Sequence, residues 1–346
     1  MKPKVRIVMP LYNYADYVAA GIESVLCQTE PDWELRLIDD GSSDATPDIC
    51  RRYEQKDSRI HFVQQQNGGQ YGIVNRHTAA GTARYNAVLD GDDRLAPDYI
   101  AAMYQFAEDH DCDVVLTTHQ ALRPRSYRIH HRSRQVFASN RLPILQYLHG
   151  FFSMPASGIF VRTKLRNEIA PLLPDLPLYA ATDDLQGFFL ASRARKVGHI
   201  GSAKYWRNLD SSGTWRNVQP EFRLRKVYSI LFSLSCIQNL ITRWPTEQQR
   251  EVASCYVLRW LRYSLLHNFS GLNQSEQFTL LRSAISTVHD LQREIFISPQ
   301  EQVAFLAEMP AQASGPKRRL RRLLRDLLPY GYVHRRKGDA PGRVIF

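Results

Sequence analysis

Three things are scarce in this sequence, and each absence excludes a class of protein. Cysteine occurs five times, at Cys27, Cys50, Cys112, Cys236 and Cys255, never as C-x-x-C. Neither a disulfide framework nor a zinc knuckle is therefore expected, and a reducing cytoplasm is the expected setting. Long apolar runs are missing as well. The N-terminus MKPKVRIVMPLYNY is broken by Arg6 and Pro10 and is too short for a signal-peptide core, and Val227 to Ile241 is interrupted by Gln238, Asn239 and three serines. The first reads as a strand and the second as a packed helix with one apolar stripe, so no membrane span is expected. Acids are also in deficit: 34 Asp and Glu against 45 Lys and Arg leave a net charge of +11, which favours an anionic partner such as a nucleotide, a nucleic acid or an acidic membrane.

What is present is an alternation. VRIVMPL is a strand run, YVAAGIESVLCQ has helical periodicity, and ELRLIDDGSSD is a strand ending in turn residues. ATPDICRRYEQK follows as a helix with Pro47 near its first turn, IHFVQQQNGG as a strand ending in a glycine turn, and ARYNAVLD as another strand. Strands separated by helical crossovers imply an α/β fold with a mostly parallel, doubly wound sheet, which binds ligands beyond the carboxyl ends of its strands. Tyr12 and Asn13, Asp39 and Asp40, Asn67 to Gly69, and Asp90 to Asp93 all stand just past such an end. The last group is the most demanding. Asp90, Asp92 and Asp93 occupy four positions behind the apolar AVL, and carboxylates so close repel unless a cation sits among them.

The ordered succession VMPLYN, ELRLIDDGSSD, QNGGQYGIVNR and AVLDGDDRLAPDYI resembles the nucleotide-binding half of family 2 glycosyltransferases with the GT-A (Rossmann-like) fold, over roughly residues 4 to 215. A phosphatase of the haloacid dehalogenase type also begins with a strand and D-x-D. It wants a small residue where this chain has Arg94. The resemblance implies that Tyr12 stacks on a nucleobase, with Pro10 stiffening the approach, and that Asp40 accepts the uracil N3–H while Asp39 scaffolds the loop. It implies Mn2+ or Mg2+ at the acidic turn, with Asp92 and Asp93 shared between metal and ribose in an order left open, and Asp90 as a weaker donor-site ligand. Hard carboxylate oxygens suit either cation. Asn67, Gly68 and Gly69 shape a turn near the ligand, and Arg76, beside Asn75, reaches a phosphate or carboxylate.

Further along, TDDLQGFFLASRARKVGHI resembles the family's acidic pair and aromatic-rich helix, which implies Asp184 as general base, with Asp183 the alternative. Acids at a helix N-terminus are also common for structural reasons alone. YWRNLDSSGTW resembles the segment R-x-H-x-x-S that closes over the diphosphate. Arg207 and Ser212 match, as charge neutraliser and hydrogen-bond donor, but Leu209 replaces the histidine.

Outside these motifs the reading is coarser. RPRSYRIHHRSR, residues 123 to 134, is a basic loop that suits an anionic acceptor or a solvated surface, and FFSMPASGIF, residues 151 to 160, is expected to shape the acceptor side. Past residue 218 helical patterns dominate. Residues 317 to 337 carry nine Lys or Arg against one Asp around a stripe of Leu320, Leu323, Leu324, Leu327 and Leu328. Such a helix lies in an anionic membrane interface or packs on its own domain. The expected organisation is a GT-A catalytic domain over 1–218, an all-helical accessory domain over 219–312 and a basic amphipathic tail over 313–346. The expected activity is an inverting transfer from a nucleotide-diphosphate sugar, UDP-linked by preference, to a hydroxyl of a cell-surface polysaccharide or lipid-linked glycan, of the capsule or lipopolysaccharide kind. The enzyme would be cytoplasmic or peripheral on the inner membrane face, with no nucleic-acid partner and with homo-oligomerisation open. A nucleotidyl- or phosphotransferase on a similar fold, and a silent nucleotide-sugar-binding scaffold, are the alternatives.

Overall fold

The computed structural model describes residues 2–79, 81–122, 135–138, 155–173 and 182–208, and the single positions Ser229, Ser233, Cys236 and Ile237. The basic loop 123–134, Leu209, Ser212, the tail and nearly all of the expected helical domain lie outside them.

Strand β1 (Val5–Leu11) is buried along its whole length, and helix α1 (Val18–Leu26) turns Val18, Ile22 and Val25 inward. β2 (Trp33–Asp39), α2 (Thr46–Lys56), β3 (Ile60–Gln64), α3 (Gln70–Ala79) and β4 (Tyr85–Val88) complete the first half, with Pro47 in the first turn of α2 as its sequence implied. These four strands pair in parallel, in the order β3-β2-β1-β4. Continuous burial is what a parallel strand covered on both faces requires. Pro10 is tolerated in this central strand because β4 pairs only with Val5 to Val8, so the missing N–H faces no ladder partner on that side.

The rest of the sheet is mixed. β5 (Arg94–Leu95), α4 (Tyr99–Asp109), β6 (Val114–Ala121), β7 (Gln135–Ala138), β8 (Phe160–Arg162), α5 (Thr163–Ile169), α6 (Thr182–Arg193) and β9 (Lys196–Arg207) continue the order as β4-β8-β6-β9-β5, with β7 also on β9. β8 is antiparallel to both β4 and β6, and β5 is antiparallel to β9. The parallel half therefore carries the expected doubly wound pattern, and the second half departs from it through short antiparallel strands. One consequence fixes the site: the Arg94↔Trp206 and Leu95↔Tyr205 pairs bring the end of β9 against the acidic turn that follows β4.

The core spans both halves, from Val5, Ile7 and Met9 through Tyr85 and Tyr99 to Phe160 and Tyr205. Each fully buried aliphatic side chain there contributes about 1.5–3 kcal/mol. Among the described residues no helix is long and apolar enough to cross a membrane.

Candidate active site

The rim of the parallel half is built by loops that hydrogen-bond to one another. Asn13 takes a left-handed backbone, φ 58°, which asparagine tolerates better than most residues. Its N–H donates to Ser42 Oγ at 2.8 Å, and its Oδ1 accepts the Ser43 N–H at 2.8 Å. Tyr14 N–H donates to Thr46 Oγ1 at 2.8 Å, and Ala15 N–H to Asp44 Oδ2 at 3.0 Å. The YNYA and GSSDAT segments, distant in sequence, thus form one platform. Tyr12 projects from it with 51% of its surface exposed, an aromatic face free to receive a planar ring.

Asp39 and Asp40 are both buried beneath this platform. Asp39 Oδ2 accepts the Ser42 N–H at 3.2 Å and the Gln64 amide at 3.0 Å, the scaffolding part expected of it. Asp40 scaffolds as well. Its Oδ1 accepts Gln65 Nε2 at 2.8 Å and the Gly68 N–H at 2.9 Å, and its Oδ2 accepts the Gly69 N–H at 2.7 Å. A carboxylate accepts about four hydrogen bonds, so one position on Oδ2 is left for a ligand N–H. Gly69, at φ 82°, makes the tight turn, with Asn67 exposed at its tip. The Arg76 guanidinium folds back along α3: a Cβ on Gly72 would lie 3.1 Å from Nη1.

The acidic stretch is a β-turn, closed by Asp93 N–H donating to Asp90 O at 3.0 Å. Gly91 sits where no side chain fits, since a Cβ there would be 2.7 Å from Leu11 Cδ2 and 2.9 Å from the Tyr14 ring. Burial, with Asp93, Asp92 and Asp183 nearby, pushes the Asp90 carboxyl up to about 7. Burial and Asp92 push Asp93 up to about 6, against the hydrogen bonds of Asn208 and Tyr205 and the charge of Arg207. The Gln70 amide donates to Asp90 Oδ1 at 2.8 Å, and the Asn208 N–H to Asp93 Oδ1 at 2.7 Å. Like charges held half-buried in this way, with hard oxygen donors, fit a dication. Among the described residues no three His, Cys, Asp or Glu side chains already stand in a metal-holding group.

The far wall comes from α6 and β9. Asp183, exposed at the start of α6, acts electrostatically on Asp90, and so does Arg207, exposed at the end of β9. Asp184 lies in the first turn of the same helix. Behind them His119 stacks on Tyr205 at 4.7 Å, and burial, with Arg207 and His199 nearby, pushes its imidazole down to about 4, keeping it neutral. Gly158 closes this wall with φ 73°, and a Cβ on it would lie 2.6 Å from His119 Nε2. Gly158→Ala is expected to combine left-handed strain of about 1–2 kcal/mol with overpacking of about 1–3 kcal/mol. Urea unfolding should report the sum as a lowered midpoint with an unchanged slope.

Residues 6–166 match the family model described as Glycosyl transferase family 2. The first half of the chain is thus similar to family 2 glycosyltransferases. TuaG of Bacillus subtilis, provisionally assigned to teichuronic acid biosynthesis, is 38% identical over 112 residues, which are 32% of this chain and 44% of TuaG. Glycosyltransferase GlyG of Streptococcus pneumoniae is 32% identical over 117 residues, 34% of this chain and 39% of GlyG. The chain thus spans less than half the length of these relatives. Among solved structures, S. aureus TarS 1–349 in complex with UDP-GlcNAc superposes with a TM-score of 0.63 at 17% identity, over 85% of this chain and 82% of that one. Mannosyltransferase PcManGT from Pyrobaculum calidifontis, in complex with GDP-Man and Mn2+, gives 0.50 at 15% identity, over 96% and 89%. At these identities the likeness is one of fold, and the fold is GT-A-like.

Pro10, Tyr12, Asp40, Asn67, Arg76, Asp90, Asp92 and Asp93, inside the matched residues, and Asp183 and Arg207, beyond them, lie on elements that border one rim. The side chain of Asp184 and all of Ser212 fall outside the described residues. Sequence reasoning missed Asn13, Ser42, Asp44 and Thr46 as the platform's joints, and Gln70, His119, Ser157 and Tyr205 around the acidic turn. The GSSD turn chemistry was a signal for the first group. Nothing periodic marks the second.

Proposed function

We propose that this chain is an inverting glycosyltransferase that moves a hexosyl or N-acetylhexosaminyl group from a UDP-sugar to a hydroxyl of a bacterial surface polysaccharide or its lipid-linked precursor. The observation that carries the reading is the gathering of an exposed Tyr12, the Asp40 loop and the acidic turn, all within the residues that match the family 2 model, with Asp183 and Arg207 beside them. The nucleotide sugars named with TarS and PcManGT support the donor class, and the TuaG assignment supports the acceptor class. The basic segment 317–337 supports work at an anionic membrane surface.

In this reading Tyr12 stacks on the base and the open position of Asp40 Oδ2 accepts its N–H. Asp90 orients the ribose side of the donor. Mn2+ or Mg2+, held by Asp92 and Asp93, would neutralise charge growing on the diphosphate. Asp184 takes the proton from the acceptor hydroxyl as its oxygen bonds to the anomeric carbon. The bond from that carbon to the diphosphate oxygen breaks, and UDP leaves with the electron pair, its charge met by Arg207 with Ser212 donating a hydrogen bond. A single in-line displacement inverts the anomeric centre.

Incubation with UDP-, GDP- and dTDP-sugars plus Mn2+, following nucleotide release and thermal shift, tests the choice of donor directly. Slow release of UDP from one UDP-sugar is the expected result, and release of pyrophosphate instead would favour a nucleotidyltransferase. Tyr12→Ala is expected to remove a stacking contribution of about 1–3 kcal/mol, raising the donor KM about ten-fold or more with little change in kcat.

A further inference from the structure

Tyr205 on β9 is fully buried, and nothing in the reading above gives it a part. Its hydroxyl stands beside two other segments of chain. The Asp90 N–H donates to it at 3.1 Å, and the Asp93 carboxylate and the Ser157 hydroxyl, from the segment ahead of β8, act on it electrostatically. A phenol offers one donor and two acceptor positions. The Asp90 N–H takes one of the acceptors. The ring is held separately, stacked on His119 and closed over by Gly158, where a Cβ would lie 2.8 Å from Tyr205 Cδ2. Phenylalanine would fill the same slot. A hydroxyl among apolar neighbours costs desolvation, so its presence answers to the turn rather than to the core.

We propose that Tyr205 is a positioning residue for the donor diphosphate: one hydroxyl ties the turn at residues 90–93 to β9, and so sets where the turn's carboxylate oxygens meet the diphosphate and its cation. The proposal rests on the donor reading above. Asp93 strengthens the tie, because its Oδ1 also accepts the N–H of Asn208, the residue after Arg207. Turn and strand end therefore move together, and the charge meant for the leaving group is carried along with the acidic turn.

The test is Tyr205→Phe in the full chain. Loss of the hydrogen bond that anchors the turn predicts UDP binding in Mn2+ weaker by about two- to ten-fold by calorimetry. Uracil, which meets only the Tyr12 and Asp40 platform, should bind unchanged by saturation-transfer NMR. In the ligand-free protein, amide exchange at residues 90–93 should accelerate while β1 to β3 stay protected. Ser157→Ala, which keeps the phenol and removes a hydroxyl that acts on it, should act in the same direction but more weakly and serves if Tyr205→Phe does not fold. Unchanged UDP binding, unchanged exchange in the turn, or equal loss of uracil and UDP would each overturn the proposal. Wild-type protein that takes up no nucleoside diphosphate overturns the donor reading itself, a result obtained before any variant is made.

Discussion

Asp184→Asn is expected to lower kcat by about 10²- to 10⁴-fold while donor affinity is unchanged, because general-base assistance is lost and the donor contacts stay. The helix that carries Asp184 begins at Thr182, and its first turn faces the acidic knot closely enough for Asp183 to act on Asp90. An acid there serves the reaction only if it is ionised when the acceptor hydroxyl arrives. Asparagine keeps the size and removes the proton acceptor. The measurement is UDP release with a saturating donor and a glycan acceptor, set beside hydrolysis of the donor by water. Asp183→Asn is the necessary comparison, since losing that charge should ease the ionisation of Asp90 while leaving catalysis in place. A larger loss in Asp183→Asn than in Asp184→Asn would move the base one residue back along the helix.

The second large effect is on stability, through pH and metal. Asp90, raised to about 7, and Asp93, raised to about 6, bind protons more tightly in the folded chain than in the unfolded one. Stability from these protons is complete below the ordinary carboxylate range near pH 4 and is lost as pH rises through the folded values. Metal-free protein should therefore lose stability between about pH 4 and pH 7 from this turn alone. A dication reverses the sign of the local argument by favouring the ionised carboxylates. Mn2+ should leave the melting temperature nearly unchanged at pH 5 and raise it at pH 8, by roughly 2–4 °C for each kcal/mol recovered. Calorimetric scans with Mn2+ and with a chelator at both pH values give four numbers. A gap that does not widen with pH would mean that the cation does not bind these carboxylates.

Much of the first half was legible because its signals are local. The change from strand to helix periodicity marks β1 to β4, and Pro47 and the GSSD and NGG turns mark the joints. The acidic turn could be placed at a strand end for the same reason. What sequence reasoning could not see is set by distance in space. β5 has two residues and β8 three, too short for any pattern, yet their antiparallel pairing brings β9 to the site. Tyr205 reads as one more apolar strand residue until its hydroxyl is found under Asp90. Asp40 reads as a free ligand-binding acid until Gly68 and Gly69 are found donating to it. The motif residues were thus identifiable by type and order, while the groups that hold them in place belong to other segments.

The joints between the YNYA and GSSDAT loops bear on engineering. Asn13, Ser42, Asp44 and Thr46 satisfy one another's backbone groups across some thirty residues of chain. Grafting a new base-recognition loop from a homologue in one piece would strand those N–H groups without acceptors. Redesign of nucleotide choice has to exchange both loops as a matched cassette.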